Sequence, residues 1–275
     1  MYLPPWPKMD TELNITTPPP GRLWLIPNTL DLGCIAEDAP PPDLQDVLPM
    51  GVLRIAAGLT HWIAENAKTT RAFLKRVDGV VPLSRPLQEH QIQVIPRPGK
   101  GRADKPRGPA AWRELLAPAL AGHDVGLISE AGLPAVADPG ADVVLTAHRL
   151  GLKVQALSGP SSLLLAQAAS GLHGQSFAFV GYLPVEATER QQRIRELEQW
   201  SRKQQQTQLV IETPYRNPAL CQALLNTLQT ETWLSISCGL TLADGWSRTD
   251  TVGAWRKAPP VLPTGIPAVF AWLAR

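Results

Sequence analysis

Short unbroken apolar runs alternate along this chain with longer stretches whose apolar residues recur at three- and four-residue intervals. The first pattern is that of a strand buried on both faces, and the second that of a helix with one covered face. Strands are expected at residues 22–26, stopped by Pro27, and at 52–57, 62–64, 125–129 and 154–157. Helices are expected at 43–50, 66–76, 109–121 and 140–150, the second with Phe73, Leu74 and Val77 available for one face. Beyond residue 160, helices at 161–170, 187–203 and 217–228 alternate with strands at 177–181, 209–211, 233–238 and 269–273. Strand–helix–strand alternation at this spacing predicts an α/β fold with a parallel sheet flanked by helices.

The turn signal Gly159-Pro160 separates two such mixed segments, so the chain reads as two α/β domains, 21–158 and 159–275. Residues 1–20 hold six of the 28 prolines and read as a disordered leader, without the basic and apolar regions of a secretory signal. Apolar residues make up 44% of 275 positions and charged residues 18%, enough core material to exclude wholesale disorder. The longest stretch without Asp, Glu, Lys or Arg, 154–185, is broken by glycines and prolines and cannot be one membrane helix. No membrane association is expected. Cys34, Cys221 and Cys238 are odd in number and far apart, which points to reduced thiols and a cytoplasmic protein.

A formal net charge of +2 says little about partners, but its distribution says more. Residues 97–113 hold six basic residues against Asp104 alone, mostly within a proline- and glycine-rich stretch, 82–108, that reads as a loop. There Lys100, Arg102, Lys105 and Arg107 are either solvated surface or contacts to an RNA backbone. The helix at 187–203 carries mixed charges at i, i+4, such as Glu189–Arg193 and Glu198–Arg202, the pattern of a solvated face. Dinucleotide, P-loop, zincin and nucleophile-elbow motifs are absent and the five histidines show no ligand spacing. Neither a metal site nor a Ser-His hydrolase is expected.

The richest segment is 126–140, Gly-Leu-Ile-Ser-Glu-Ala-Gly-Leu-Pro-Ala-Val-Ala-Asp-Pro-Gly. It ends a strand, turns through glycine and proline, and begins a helix. Such a loop lies where ligands gather in open α/β sheets, and glycine there allows close backbone approach. The plainer alternative is an ordinary strand-to-helix loop with Asp138 as the helix cap.

This segment resembles the L-I-S-D-A-G-x-P-x-x-x-D-P-G signature of the tetrapyrrole methylase superfamily. It is most similar to the branch containing the small-subunit ribosomal RNA cytidine-2′-O-methyltransferases. The likeness continues in register from Gly21. It runs through Leu25-Ile26-Pro27, Ala64-Glu65-Asn66-Ala67-Lys68-Thr69-Thr70-Arg71, Gly159-Pro160-Ser161-Ser162 and Ser170-Gly171-Leu172. Phe179-Val180-Gly181-Tyr182-Leu183-Pro184 resembles F-x-G-[FY]-L-P, and Glu212-Thr213-Pro214-Tyr215-Arg216 resembles E-[ST]-P-[HY]-R.

The resemblance implies a two-domain tetrapyrrole-methylase-like fold, usually a homodimer, with S-adenosyl-L-methionine in the cleft between domains. It would put Pro27 beside the cofactor, and Ser129, Glu130, Ala131 and Gly132 around its methionine part. Ser161 and Ser162 would touch it at the interdomain helix start. Glu212, Thr213, Gly239, Leu240, Pro267 and Ala268 would surround adenine and ribose. A ribose hydroxyl is a weak acid and benefits from a base. Glu65 and Glu212 are the catalytic candidates, each with an ion-pair or capping role as the alternative, Arg71 and Arg216 being ready partners. Tyr215 and Arg216 could stack on and pair with a nucleotide. The chain departs from the RNA branch at the first loop, Pro27-Asn28-Thr29-Leu30-Asp31-Leu32-Gly33, at Asn66 and at Glu130. It looks closest to an uncharacterised subgroup with the same variants. Three functions stay open: ribosomal RNA 2′-O-methylation, C-methylation of a uroporphyrinogen or precorrin, and a non-catalytic cofactor-binding module.

Overall fold

The computed structural model describes residues 19–31, 33–34, 41–96 and 109–275. Almost all of the expected leader, and the basic residues Arg97, Lys100, Arg102, Lys105 and Arg107, lie outside the described residues.

Five strands form a parallel sheet: β1 (Arg22–Ile26), β2 (His61–Ala64), β3 (Gln91–Val94), β4 (Val125–Ile128) and β5 (Lys153–Ala156), in the order β3-β2-β4-β1-β5. In the middle of the sheet Leu25 pairs with Leu127 on one side and Ala156 on the other. Helices α1 (Met50–Gly58) and α2 (Ala67–Asp78) cover one face over Trp24, Ile26 and Trp62. Helices α3 (Pro109–Leu115), α4 (Ala117–Leu120) and α5 (Ala141–Arg149) cover the other over Leu23, Ile63 and Leu127. Covering on both faces is why β1 and β4 are apolar without alternation. Gly126 has a packing reason: a Cβ there would lie 2.7 Å from the Trp62 ring, which packs against the strand.

The second sheet is mixed, in the order β6-β7-β10-β8-β9, from β6 (Phe177–Phe179), β7 (Thr207–Ile211), β8 (Trp233–Cys238), β9 (Trp246–Thr251) and β10 (Ala268–Leu273). Strand β6 runs parallel to β7, and the remaining pairs are antiparallel. Its residues alternate as strand geometry requires. Val210, Phe270 and Trp272 point to α7 (Ala187–Gln204), α8 (Asn217–Thr227) and α9 (Val252–Lys257), while Leu209, Val269 and Ala271 point to α6 (Ser162–Ser170).

Several local expectations are corrected. Residues 52–57 are not a strand but the body of α1, burying Val52, Leu53, Ala56 and Ala57 at helical spacing behind Pro49. The helix expected at 43–50 is a single 3₁₀ turn, Leu44–Asp46, with the Asp43 carboxylate accepting from Gln45 N. Strand β3 falls in the stretch read as loop, and β9 and α9 were not expected. In α7, Glu198 does not face solvent with Arg202. It is 3% exposed and accepts from Gln229 N at 2.8 Å and from the Thr232 hydroxyl, tying the helix to the turn before β8.

Candidate active site

The topology opens a crevice at the carboxyl edge of the first sheet. The chain leaves β1 for β2 on one side and leaves β4 for β5 on the other, so the loops after these adjacent strands diverge. In the second sheet, β7 and β8 end at the same edge where the antiparallel β10 begins. The two edges face each other across a cleft of about 240 Å³.

Asn28 fastens the two first-sheet loops together. Its N–H donates to Gly132 O at 2.9 Å, Gly132 N donates back at 3.2 Å, and Asn28 Nδ2 reaches the carbonyls of Ser129 (3.2 Å) and Glu130 (3.0 Å). The first loop is anchored from behind. Asp31 accepts from the Thr29 hydroxyl and pairs with Arg76 of α2 at 3.0 Å. The glycine loop is tightly wound: Gly132 (φ 67°), Ala135 (64°), Ala137 (63°) and Gly140 (130°) all have positive φ. For the two alanines that conformation costs about 1–2 kcal/mol each, strain that persists where the surroundings over-determine it.

On the first-sheet side the cleft is lined by Leu30, Ala131, Gly132, Leu133 and Asp138. Ser161 and Ser162, at the start of α6, line it where the chain passes between the sheets. Ser161 holds the N-cap position without a side-chain cap bond. Tyr182, Glu212, Gly239, Leu240, Pro267 and Ala268 line the second-sheet side. Nine of the thirteen residues expected around a cofactor therefore meet in one cleft, drawn from both halves of the chain.

Four do not line it. Pro27 is buried beneath the Gly159-Pro160 segment, where a Cβ on Gly159 would lie 2.2 Å from its ring. Ser129 is 3% exposed, with its buried Oγ set against the Asp138 carboxyl. Glu130 turns its side chain to Asn66 Nδ2 at 3.0 Å. Thr213 lies behind Glu212, donating to Glu212 Oε1 at 3.2 Å and accepting from Arg216 Nε at 3.0 Å.

Of the two catalytic candidates, Glu65 is off the cleft wall and accepts from Glu130 N at 3.2 Å. Glu212 is on the wall, but its side chain is 6% exposed and paired with Arg216 at 2.9 Å. Arg71 donates to Ala67 O at 3.5 Å instead of serving Glu65. Tyr215 is 70% exposed, with the Arg216 guanidinium 5.4 Å from its ring centre.

Two wall residues are not among the expected site residues. Asp138 is not the cap of α5, whose N-cap is Gly140. Burial, then the charges of Glu65 and Glu130, push its carboxyl up to about 7, with the nearby Ser129 hydroxyl opposing. Tyr182 is raised above its usual value by burial and then by Asp138 and Glu212. Both sit inside motifs already read for other reasons, the D-P-G turn and the G-Y-L-P stretch.

The family model of the tetrapyrrole (corrin/porphyrin) methylases matches residues 59–244, most of both sheets and the loops between them. The chain belongs to this family. Among curated relatives, the ribosomal RNA small subunit methyltransferase I of Vibrio cholerae is 36% identical over 109 residues, 40% of this chain and 35% of that one. The protein of the same name from Mesorhizobium japonicum is 36% identical over 144 residues, 52% of this chain and 48% of that one. The chain thus spans about a third to about half the length of these two relatives. Among solved structures, a uroporphyrin-III-C-methyltransferase from Thermus thermophilus covers 92% of each chain at 17% identity and a TM-score of 0.47. The α/β class expected of a tetrapyrrole methylase is the class observed. Among the described residues no helix is long and apolar enough to cross a membrane.

Proposed function

We propose that this tetrapyrrole-methylase chain is an S-adenosylmethionine-dependent methyltransferase whose acceptor is a ribose 2′-hydroxyl of ribosomal RNA. The observation that carries the reading is the convergence of nine expected cofactor residues on one cleft. The RNA acceptor rests on the names of the curated relatives. When bound, the cofactor supplies a methyl group on a sulfonium, open to in-line attack.

The residues of the cleft fit such a ligand. Gly132 leaves the backbone bare at the wall, where a Cβ would lie 3.3 Å from Leu30 and 3.5 Å from Pro160 O. The Ser161 hydroxyl, unused as a cap, is available to the methionine part. Leu133, Leu240 and Val269 supply apolar walls for adenine. Methyl transfer needs mainly alignment and exclusion of water, and a cleft between two sheet edges suits the first of these. In this reading residues 21–158 and 159–275 are two domains of a cytoplasmic homodimer. Tyr215, Arg216 and the basic residues Lys100, Arg102, Lys105 and Arg107 would serve as RNA contacts.

Transfer of labelled methyl groups to total RNA from cells lacking the protein, followed by fragment mapping, tests the assignment. Label is expected in small-subunit ribosomal RNA as a 2′-O-methyl. Label on a porphyrinogen and none on RNA would replace the acceptor, and calorimetric silence with S-adenosylmethionine would remove the enzyme reading.

A further inference from the structure

We propose that Asp138 is the group that takes the proton from the acceptor hydroxyl, an inference that rests on the methyltransferase reading above. Among the described residues four carboxylates stand near the cleft, and three hold other partners. Glu65 accepts the Glu130 N–H at 3.2 Å away from the wall, and Glu130 is bonded to Asn66 at 3.0 Å. Glu212 is locked to Arg216 at 2.9 Å with its side chain 6% exposed. Asp138 lines the cleft itself and forms no ion pair among the described residues.

Two further observations point to Asp138. It follows directly on Ala135 and Ala137, both held at positive φ at an energetic cost, and Ala137 lines the cleft beside it. Behind it the buried Ser129 hydroxyl is set against the Asp138 carboxyl, where it favours the ionised form. The groups facing Asp138 come from every neighbouring element: Glu65 after β2, Glu130 and Ser129 after β4, and Tyr182 after β6. Glu212 and Arg216 after β7 act on Tyr182. Burial and the two glutamates hold the carboxyl near 7, where a base is both substantially ionised and strong enough to accept a proton at neutral pH. Tyr182, raised above its usual value, stays a phenol and can donate to the acceptor from the opposite wall.

In the step, the acceptor O–H breaks and an Oδ–H forms on Asp138. The electron pair left on the acceptor oxygen becomes the new O–C bond, and the donor sulfur retains the pair of the bond it gives up.

The test compares the wild-type protein with Asp138→Asn and Asp138→Glu. Wild-type kcat/KM on RNA should rise with pH to a plateau, with a midpoint near 7. Asp138→Asn should lose about 10²–10⁴-fold in kcat and the limb with it, and Asp138→Glu should restore part of both. Binding of S-adenosylmethionine and of RNA by Asp138→Asn should stay within about threefold of wild type. A second readout needs no turnover. A carboxyl whose folded value is raised holds its proton longer folded than unfolded, so stability is lost as pH rises from about 4 through about 7. Asp138→Asn should therefore melt above wild type at pH 8 and not at pH 4, whereas removal of a merely structural contact lowers melting at both. Asp138→Asn as active as wild type with the pH limb intact, or cofactor affinity reduced about 100-fold, would overturn the inference alone. Wild-type protein inactive on RNA would overturn the functional reading and this inference with it.

Discussion

Asn66 Nδ2 donates to Glu130 Oε1 at 3.0 Å, joining the loop after β2 to the loop after β4. These are two of the positions at which the sequence departs from the ribosomal RNA branch it resembles, and the structure couples them. A carboxylate at 66 would meet the Glu130 carboxylate, whereas the amide offers it a donor. Asn66 also caps α2, accepting from Lys68 N at 2.9 Å. Asn66→Asp keeps a good cap but sets two carboxylates together, for an expected loss of about 1–2 kcal/mol. Adding Glu130→Gln restores a donor–acceptor pair and should recover most of that loss in denaturant unfolding. A double variant no more stable than Asn66→Asp would show that the two positions do not act as a pair.

Gly132 should tolerate no side chain. At φ 67° any L-residue is strained by about 1–2 kcal/mol, and the new Cβ would press on Leu30 and Pro160 O where the loops meet. Gly132→Val adds a β-branched side chain to that space. The expected result is lost S-adenosylmethionine binding by calorimetry with far-UV circular dichroism retained. Wild-type affinity in this variant would mean the cofactor lies elsewhere.

Glu212 depends on its partner. The carboxylate is almost fully covered and receives Arg216 Nη2 at 2.9 Å, Arg216 Nε at 3.1 Å and Thr213 N at 2.7 Å. Arg216→Met keeps the stem and removes the charge, leaving a buried carboxylate short of donors. Breaking such pairs costs about 3–5 kcal/mol when both groups are buried. Arg216 is partly exposed (32%), so a smaller loss is expected, about 1–3 kcal/mol. Replacing both residues, Glu212→Gln with Arg216→Met, should be less destabilising than Arg216→Met alone. Equal losses would refute the coupling.

What could be read in advance divides along burial. Strands β1 and β4 are continuous apolar runs because both faces of the sheet are covered, and β10 stands out for the same reason, whereas β8, Trp-Leu-Ser-Ile-Ser-Cys, shows the alternation of a strand with one apolar face. Strand β3, Gln-Ile-Gln-Val, is an edge strand with exposed ends, so nothing apolar distinguishes it from the loop around it. Strand β9, also an edge, reads Trp-Ser-Arg-Thr-Asp-Thr and is hidden likewise. The run Val-Leu-Arg-Ile-Ala-Ala of α1 carries both the helical and the strand period, and only its packing decides that it is a helix. At the site, the backbone loop was legible through its glycines and prolines. The carboxylates were less so: Arg216 lies only four residues from Glu212 and could be named as its partner, whereas Glu65 is held by the Glu130 N–H from a loop 65 residues away, and nothing local places Asp138 on the cleft wall.

His61 should make stability fall in mild acid. Its ring stacks on His123 with centroids 4.6 Å apart and an interplanar angle of 23°, and its Nδ1 lies 3.1 Å from the Thr60 hydroxyl. Burial, then the charges of His123 and Arg85, hold its pKa below the ordinary 6.5. The unfolded chain therefore takes up this proton at a higher pH than the folded protein does. Stability from His61 is complete above about 6.5 and is lost as pH falls from there toward the lower folded value. Asp138 works in the opposite sense over part of the same range, so the wild-type curve alone does not isolate His61. The difference between His61→Gln and wild type does, because Asp138 is common to both. That difference should move in favour of the variant as pH drops from about 7.5 to about 5. Salt should reduce the part owed to His123 and Arg85 and leave the part owed to burial. Unfolding curves by urea at four or five pH values suffice, and parallel stability curves for the two proteins would refute the shift.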